Sequence, residues 1–336
     1  MLIEKNNLGG VCLNEGCIPT KTLLYSAKTY DSAKHASKYA INVSEVSFDL
    51  SKIIVRKSKV VRKLVLGVKA KLASNNVAIV SGEAQIIDKN TVRCGEETYE
   101  GENLILCTGS ETFIPPIPGV ETVNYWTHRD ALDNKELPAS LAIVGGGVIG
   151  MEFASFFNSL GVQVTVVEML DEILGGMDKE LSALLRAEYA KRGIKFLLST
   201  KVVGLSQTEG AAVVSYENAE GSGSVVAEKL LMSVGRRPVT KGFGLENLNL
   251  EKTERGAVKV DEKMQTSVPG VYVCGDLTGF SLLAHTAVRE AEVAVHSILG
   301  KEDTMSYRAI PGVVYTNPEI AGVGETEESA SAKGIT

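Results

Sequence analysis

Two cysteines, Cys12 and Cys17, are the residues of this chain best placed to do chemistry. They lie in Gly9-Gly10-Val11-Cys12-Leu13-Asn14-Glu15-Gly16-Cys17-Ile18-Pro19-Thr20-Lys21, with four residues between them. Two thiols so near in sequence, set among glycines and a proline, can make and break a disulfide. In one continuous α-helix, residues i and i+5 stand about 7.5 Å apart along the axis and on different faces. A disulfide needs Cα atoms about 4.4–6.8 Å apart, so the segment has to bend. Gly9, Gly10 and Gly16 permit the bend. Pro19 suits the first turn of a helix, where its missing N–H costs nothing. Cys17 then falls near a helix N-terminus, whose dipole favours thiolate over thiol. Two other readings stand beside this one: a pair of buried thiols, or half of a metal site. Zinc pairs usually carry about two to four intervening residues and need a second pair or histidines. Cys94, Cys107 and Cys274 supply no such set, and no metal site is expected.

A second constellation is Gly145-Gly146-Gly147-Val148-Ile149-Gly150, the pattern GxGxxG. Alone the pattern is weak. Here an apolar run, Leu141 to Val144, precedes it and a helical pattern over 148–160 follows. Val162 to Glu168 reads as a second strand, ending in an acid 18 residues beyond Gly150. That is a βαβ unit with the spacing of a dinucleotide site. The helix N-terminus would face the pyrophosphate. The Glu168 carboxylate would accept both ribose hydroxyls and repel a 2′-phosphate, which favours NAD over NADP. The bland alternative is a tight strand–helix turn with no ligand.

The elements that must position these residues follow from the pattern. Met1-Leu2-Ile3-Glu4 reads as the end of a strand. Helices are predicted over 20–38 and about 49–74, the second capped by Asp49 or Ser51. Within it the basic run Arg56, Lys57, Lys59, Arg62, Lys63 reads as a solvated face. Short strands are predicted near 77–81, 84–87 and 103–107. Residues 112–138 are rich in proline and read as a crossing between domains. A helix at 178–192 and strands to about 234 complete a domain, with a hairpin loop at Ala219 to Ser224. Val271 to Cys274 is strand-like, and a helix is predicted near 284–299.

A chain of 336 residues allows two or three domains. Hydrophobic content of 44% and charged content of 23% are those of an ordinary globular protein. A net charge of −6 argues against nucleic acid as a partner. No apolar stretch reaches membrane-spanning length, so no membrane partner is expected. The N-terminus lacks the features of a secretory signal. Five scattered cysteines do not form a structural disulfide framework, and a reducing cytoplasm is the expected compartment.

The stretch Cys12-Leu13-Asn14-Glu15-Gly16-Cys17-Ile18-Pro19-Thr20-Lys21-Thr22-Leu23-Leu24 resembles the redox-active disulfide of the flavin disulfide reductases, the class I pyridine nucleotide-disulfide oxidoreductases, in the form met in dihydrolipoamide dehydrogenases. The resemblance extends over essentially the whole chain. It implies an α/β fold with two Rossmann-like dinucleotide-binding domains and the start of a dimerisation domain. The expected limits are 1–118 with 246–309 for FAD, 119–245 for NAD, and 310–336 for the dimerisation start. The cofactors implied are FAD and NAD.

The same resemblance assigns further residues. Glu4 corresponds to the acid on the adenosine ribose of FAD, and Ala84 to a backbone contact with adenine. Lys21 matches a lysine near the flavin ring, and Glu152 the glutamate that pairs with it. Thr108, Gly109 and Ser110 match a flavin-binding turn, with Cys107 where alanine is common. Asp276 matches the aspartate at the ribitol and phosphate, and Ala284 lies in the turn beneath the flavin. On the NAD side, Gly235 matches a close backbone approach to the dinucleotide and Val202 a residue near adenine. The alternative is an ordinary core or turn role for Gly235 and Val202, a surface helix carboxylate for Glu152 and a simple turn cap for Asp276.

The activity implied is oxidation of dihydrolipoamide on a lipoyl carrier protein, with NAD+ as acceptor. The partner implied beyond that is a second copy in a homodimer. Two departures are expected to matter. The first strand and GxGxxG turn of the FAD domain have no counterpart here. The carboxy-terminal His–Glu pair also has none, and His35, His128, His285 and His296 do not take its place. The reading is therefore of a chain truncated at both ends, of doubtful activity. The rivals are another NAD(P)H-dependent disulfide reductase and a non-catalytic NAD-binding fragment.

Overall fold

Apolar runs become buried strands in this chain, and glycines mark where the strands turn. In the computed structural model, which describes residues 1–335, the strand Ser140–Val144 has Leu141, Ala142 and Ile143 with no exposed surface. A strand covered on both faces needs this unbroken apolar character. It is central in a five-stranded sheet ordered Lys195–Leu197, Gln163–Val167, Ser140–Val144, Lys229–Met232, Tyr125–Trp126. All four neighbouring pairs are parallel. The α/β class and the βαβ unit expected from the sequence are both present.

The chain divides into two compact units. One comprises Glu15–Arg62, Thr112–Gly235 and Pro311–Thr336 and contains this sheet. The helices Cys17–Lys34, Val148–Ser159 and Lys179–Lys191 supply Leu23, Leu24, Phe153, Phe156, Phe157 and Tyr189 to one core. Burying an aliphatic or phenyl side chain of this size stabilises by about 1.5–3 kcal/mol. A second core holds Ala142, Val144, Leu230 and Met232 with Leu205 and Val214. The last two come from the antiparallel meander Lys201–Thr208, Ala211–Asn218, Gly221–Ala227. Gly312–Val314 pairs antiparallel with Ile320–Gly322, and Val314 and Ile320 join the first core.

The other unit comprises Met1–Asn14, Lys63–Glu111 and Arg236–Ile310. It carries two parallel strand pairs, Leu2–Glu4 with Ile79–Ser81 and Leu104–Leu106 with Val271–Val273. An antiparallel sheet of Ala84–Ile86, Thr91–Cys94 and Glu97–Glu100 accompanies them. The helix Ala284–Ile298 packs Val293 and Ala294 against Tyr272 and Cys274.

Five local expectations need correction. The helix predicted over 20–38 spans Cys17–Lys34, because Gly16 rather than a polar side chain stands at its N-cap. The loop predicted over Ala219 to Ser224 is a tighter turn, and Gly221 onward belongs to a strand. The strands Thr91–Cys94 and Glu97–Glu100 escaped the reading, and residues 112–138, read as a crossing between domains, also hold the strand Tyr125–Trp126 of the five-stranded sheet and the helix His128–Asp133. Lys57 is not solvated: it is buried, and its ammonium donates to the carbonyl of Leu132 at 3.0 Å and to the carboxylate of Asp133. The helix Leu50–Ser74 does begin at Asp49, whose Oδ1 accepts from Lys52 N at 3.0 Å. Among the described residues no helix is long and apolar enough to cross a membrane.

Candidate functional site

Cys12 and Cys17 are joined in a disulfide. Cys12 lies on the short helix Gly10–Glu15, and Cys17 opens the helix Cys17–Lys34. Gly9 and Gly10, with φ of +103° and +67°, make the approach to the first helix. The second begins without a side-chain cap, so its first N–H groups are left to favour a thiolate at Cys17. Glu15, between the two cysteines, is held by Arg129: Nε donates at 2.5 Å and Nη2 at 2.7 Å. Arg129 lies inside a capping box formed by Thr127 and Asp130, and its N–H donates to Thr127 Oγ1 at 3.3 Å. Nothing in the sequence marked this clamp.

Lys21 is one turn beyond Cys17 and shares its helix face. Its ammonium donates to Glu152 Oε2 at 2.8 Å. Glu152 is 3% exposed in its side chain and Lys21 31%. The other carboxylate oxygen accepts from the backbone N–H of Tyr315 at 3.0 Å. The Tyr315 ring stands 4.9 Å from the Lys21 ammonium, within cation–π range. The pairing of Lys21 with Glu152 is thus present, and Tyr315 is a third member that the sequence reading missed.

The glycine turn divides its work among its members. Gly145 has φ +104°, and a Cβ there would lie 2.2 Å from the carbonyl oxygen of Ser233. A Cβ on Gly150 would lie 2.1 Å from the carbonyl oxygen of Gly145. A Cβ on Gly147 would meet nothing within 4 Å, and Gly147 is the N-cap of Val148–Ser159, without a side-chain cap. One glycine makes the turn, one allows helix and strand to touch, and one keeps space open before uncapped N–H groups. Glu168 Oε2 accepts from Gly146 N at 2.6 Å, and Oε1 from Leu170 N at 2.8 Å. A carboxylate has about four acceptor positions, so two remain for hydroxyls. Val148 and Ile149 are 39% and 36% exposed on the first turn. The residues fit a dinucleotide. Gly235 has φ +117° with open space where a Cβ would stand, while Val202 packs against the meander core.

In the unit carrying Met1–Asn14, the Thr108–Ser110 turn is tightly held. Thr108 Oγ1 donates to the carbonyl of Val239 at 3.0 Å, and Gly109 has φ +68°. The Ser110 hydroxyl donates to Asp276 Oδ2 at 2.5 Å and accepts from Arg236 Nε at 2.7 Å. Asp276 sits in the 3-10 turn Gly275–Thr278. That turn rests on Glu290, whose carboxylate accepts from Gly275 N at 2.5 Å and from the Tyr307 hydroxyl at 2.7 Å. Glu290 is fully buried, and burial pushes its carboxyl pKa up. Arg236 and Glu290 also went unseen, since their partners lie far off in sequence. Ala284 starts the helix Ala284–Ile298, again without a side-chain cap. Glu4 ends its strand and accepts from Asn6 N at 2.8 Å, and Ala84 opens its own strand. These held carboxylates and uncapped N–H groups fit the adenosine and ribityl-phosphate parts of a flavin nucleotide. The one GxGxxG in the sequence is the Gly145 turn.

The profile of the family described as pyridine nucleotide-disulphide oxidoreductase matches residues 1–291. The chain is 38% identical over 339 residues to a dihydrolipoyl dehydrogenase of Geobacillus stearothermophilus, covering 99% of this chain and 72% of that protein. It is 36% identical over 345 residues to the mitochondrial dihydrolipoyl dehydrogenase 1 of Arabidopsis thaliana, covering 99% and 68%. Among solved structures it resembles the HOCl-induced flavoprotein disulfide reductase RclA of Escherichia coli, with TM-score 0.86 and 30% identity over 99% of this chain and 73% of that one. It also resembles LpdA of Mycobacterium tuberculosis, with TM-score 0.91 and 26% identity over 99% and 74%.

Proposed function

This chain belongs to the pyridine nucleotide-disulphide oxidoreductase family, and we propose that it is the dihydrolipoamide-oxidising, NAD+-reducing kind. As a member it is a flavin-dependent disulfide oxidoreductase using FAD and NAD(P), and Glu168 favours NAD in this reading. The observation that carries the substrate reading is the Cys12–Cys17 disulfide at an uncapped helix start, with the Lys21–Glu152 pair one turn below. Relatives at 36–39% identity that carry the name dihydrolipoyl dehydrogenase support it.

In this reading a thiolate of dihydrolipoamide attacks the Cys12 sulfur. The Cys12–Cys17 bond breaks, and Cys17 leaves as a thiolate favoured by the helix N-terminus. The second lipoyl thiol then attacks the lipoyl sulfur of the mixed disulfide and displaces Cys12. Lipoamide leaves as a disulfide, and the electron pair stays on the two cysteines. Bound FAD supplies the two-electron chemistry that links this dithiol to NAD+. Glu4, Ala84, Thr108, Gly109, Ser110, Asp276 and Ala284 would hold FAD. Gly145 to Gly150, Glu168, Val202 and Gly235, within 119–245, would hold NAD. Lys21 keeps a positive charge one turn from Cys17, and Glu152 keeps Lys21 in place. A lipoyl carrier protein, a reducing cytoplasm and a second copy of the chain complete the proposal.

The test is reduction of NAD+ by dihydrolipoamide on the purified, FAD-supplemented chain, beside Cys12→Ser and Cys17→Ser. Turnover that both variants abolish supports the reading. Preference for glutathione disulfide with NADPH overturns the substrate class. Binding of NAD with no flavin retained and no turnover overturns the enzymatic reading.

A further inference from the structure

We propose that Cys107 and Cys274 form a second redox couple, a dithiol that hydroperoxides convert to a disulfide. It is separate from Cys12–Cys17 and does not depend on the lipoamide reading.

The strand register brings these two together. Leu104–Leu106 and Val271–Val273 run parallel with Val271 opposite Leu104, Tyr272 opposite Ile105 and Val273 opposite Leu106. The ladder continues one step, since Cys274 N donates to the carbonyl of Leu106 at 3.1 Å. Cys107 and Cys274 are therefore the next pair across the strands. Neighbouring strands stand about 4.8 Å apart, inside the window of about 4.4–6.8 Å between Cα atoms that a disulfide requires. Residues opposite one another also project to the same face of the pleat. Both are free cysteines, Cys274 buried and Cys107 exposed.

The placement has an electrostatic consequence: hydrogen bonding between the two thiols pulls the pKa of Cys107 down and pushes that of Cys274 up. The two shifts share one cause and divide the labour. Cys107, the more exposed of the two, is the thiol drawn toward its thiolate form, and Cys274 is the neighbour held in its protonated form. That is the arrangement of a reacting thiol beside a resolving one. Cys94, buried on Thr91–Cys94, stands opposite Ala84 and Glu97 rather than a cysteine and serves as an internal control.

The chemistry balances with one equivalent of hydroperoxide. The Cys107 thiolate attacks the O–O bond, the S–O bond forms, and the departing alkoxide or hydroxide takes a proton. Cys274 then attacks the sulfenic sulfur. The sulfur–sulfur bond forms, and the hydroxyl leaves as water with the Cys274 proton. Two electrons pass from the two thiols to the peroxide. A dithiol reductant reverses the change.

Among the described residues three thiols are free, Cys94, Cys107 and Cys274. The whole chain, dosed with hydrogen peroxide, quenched and alkylated under denaturing conditions, should fall from three alkylatable thiols to one. Non-reducing peptide mapping should find Cys107 linked to Cys274. Cys274→Ser should stop at a sulfenic acid on Cys107 that dimedone traps, and Cys107→Ser should leave Cys274 a thiol at the same dose. Persistence of all three thiols would overturn the proposal. So would a sulfinic acid on Cys107 beside an intact Cys274 thiol, or a link from Cys107 to Cys12 or Cys17. Wild type and Cys274→Ser decide the matter even if Cys107→Ser does not fold.

Discussion

Lys21 and Glu152 form an ion pair whose acidic partner has almost no contact with solvent. A buried charge that loses its partner is costly, and the cost exceeds what the intact pair contributes. Lys21→Ala should destabilise the fold by about 3 kcal/mol, at the lower end for buried pairs because Lys21 itself is partly exposed. Denaturant unfolding checks this; an unchanged midpoint would mean that Tyr315 N alone satisfies Glu152. Glu168 gives a second residue-scale prediction. Its carboxylate supports the turn through Gly146 and Leu170 and has acceptor positions left for a ribose. Glu168→Gln keeps the size and removes the charge. A hydrogen bond to a charged group contributes about 1.5–3 kcal/mol, so NAD should bind roughly tenfold more weakly or worse. Binding of NADPH, no longer repelled, should suffer less, and titration of both nucleotides against the variant separates the two effects.

At the scale of the element, two glycines of one turn should fail in different ways. Gly145→Ala puts a Cβ against the Ser233 carbonyl at a φ that alanine avoids, so the turn itself must move. Folding stability and NAD binding should fall together. Gly147→Ala meets open space at φ −70°. Its thermal midpoint should stay close to wild type while NAD binding falls, because the methyl occupies the approach to the helix N-terminus. Equal loss of stability in both variants would remove Gly147 from the nucleotide site. This turn was legible in the sequence because its constraints are backbone constraints, and only glycine meets them. The bend at Cys12 and Cys17 was legible for the same reason. The helix after it was placed three residues late, since Gly16 is a poor capping signal. Glu97–Glu100 lacks an apolar alternation and was passed over. Arg129, Arg236, Glu290 and Tyr315 act on partners that only the folded chain brings near. Tyr315 contributes to Glu152 through its backbone N–H, which no side-chain motif encodes.

Across the whole molecule, two carboxylates give opposite slopes to stability against pH. Asp303 is held by Arg289 and His296, which bring its pKa down to about 2 from 3.8. A depressed carboxylate stabilises the fold above its unfolded value, and the contribution is lost as pH falls toward about 2. Glu290 is the reverse case. Burial raises its pKa from 4.5, so the folded state keeps a proton that the unfolded chain has released. Its contribution is full below 4.5 and declines as pH rises above that value. One proton sets the ceiling of that slope at about 1.4 kcal/mol per pH unit. Glu290→Gln keeps an acceptor for Gly275 and cannot ionise. The variant pays a fixed cost for whichever hydrogen bond it loses, and that cost does not depend on pH. Its stability relative to wild type should therefore improve steadily as pH is raised from 4.5, and chemical denaturation at a series of pH values reads this directly. Parallel curves would show that Glu290 is ionised in the folded chain at every pH tested, with Gly275, Thr278 and Tyr307 solvating the charge. Asp303→Asn should act at the other end, with a deficit at neutral pH that closes as wild type is titrated below pH 4.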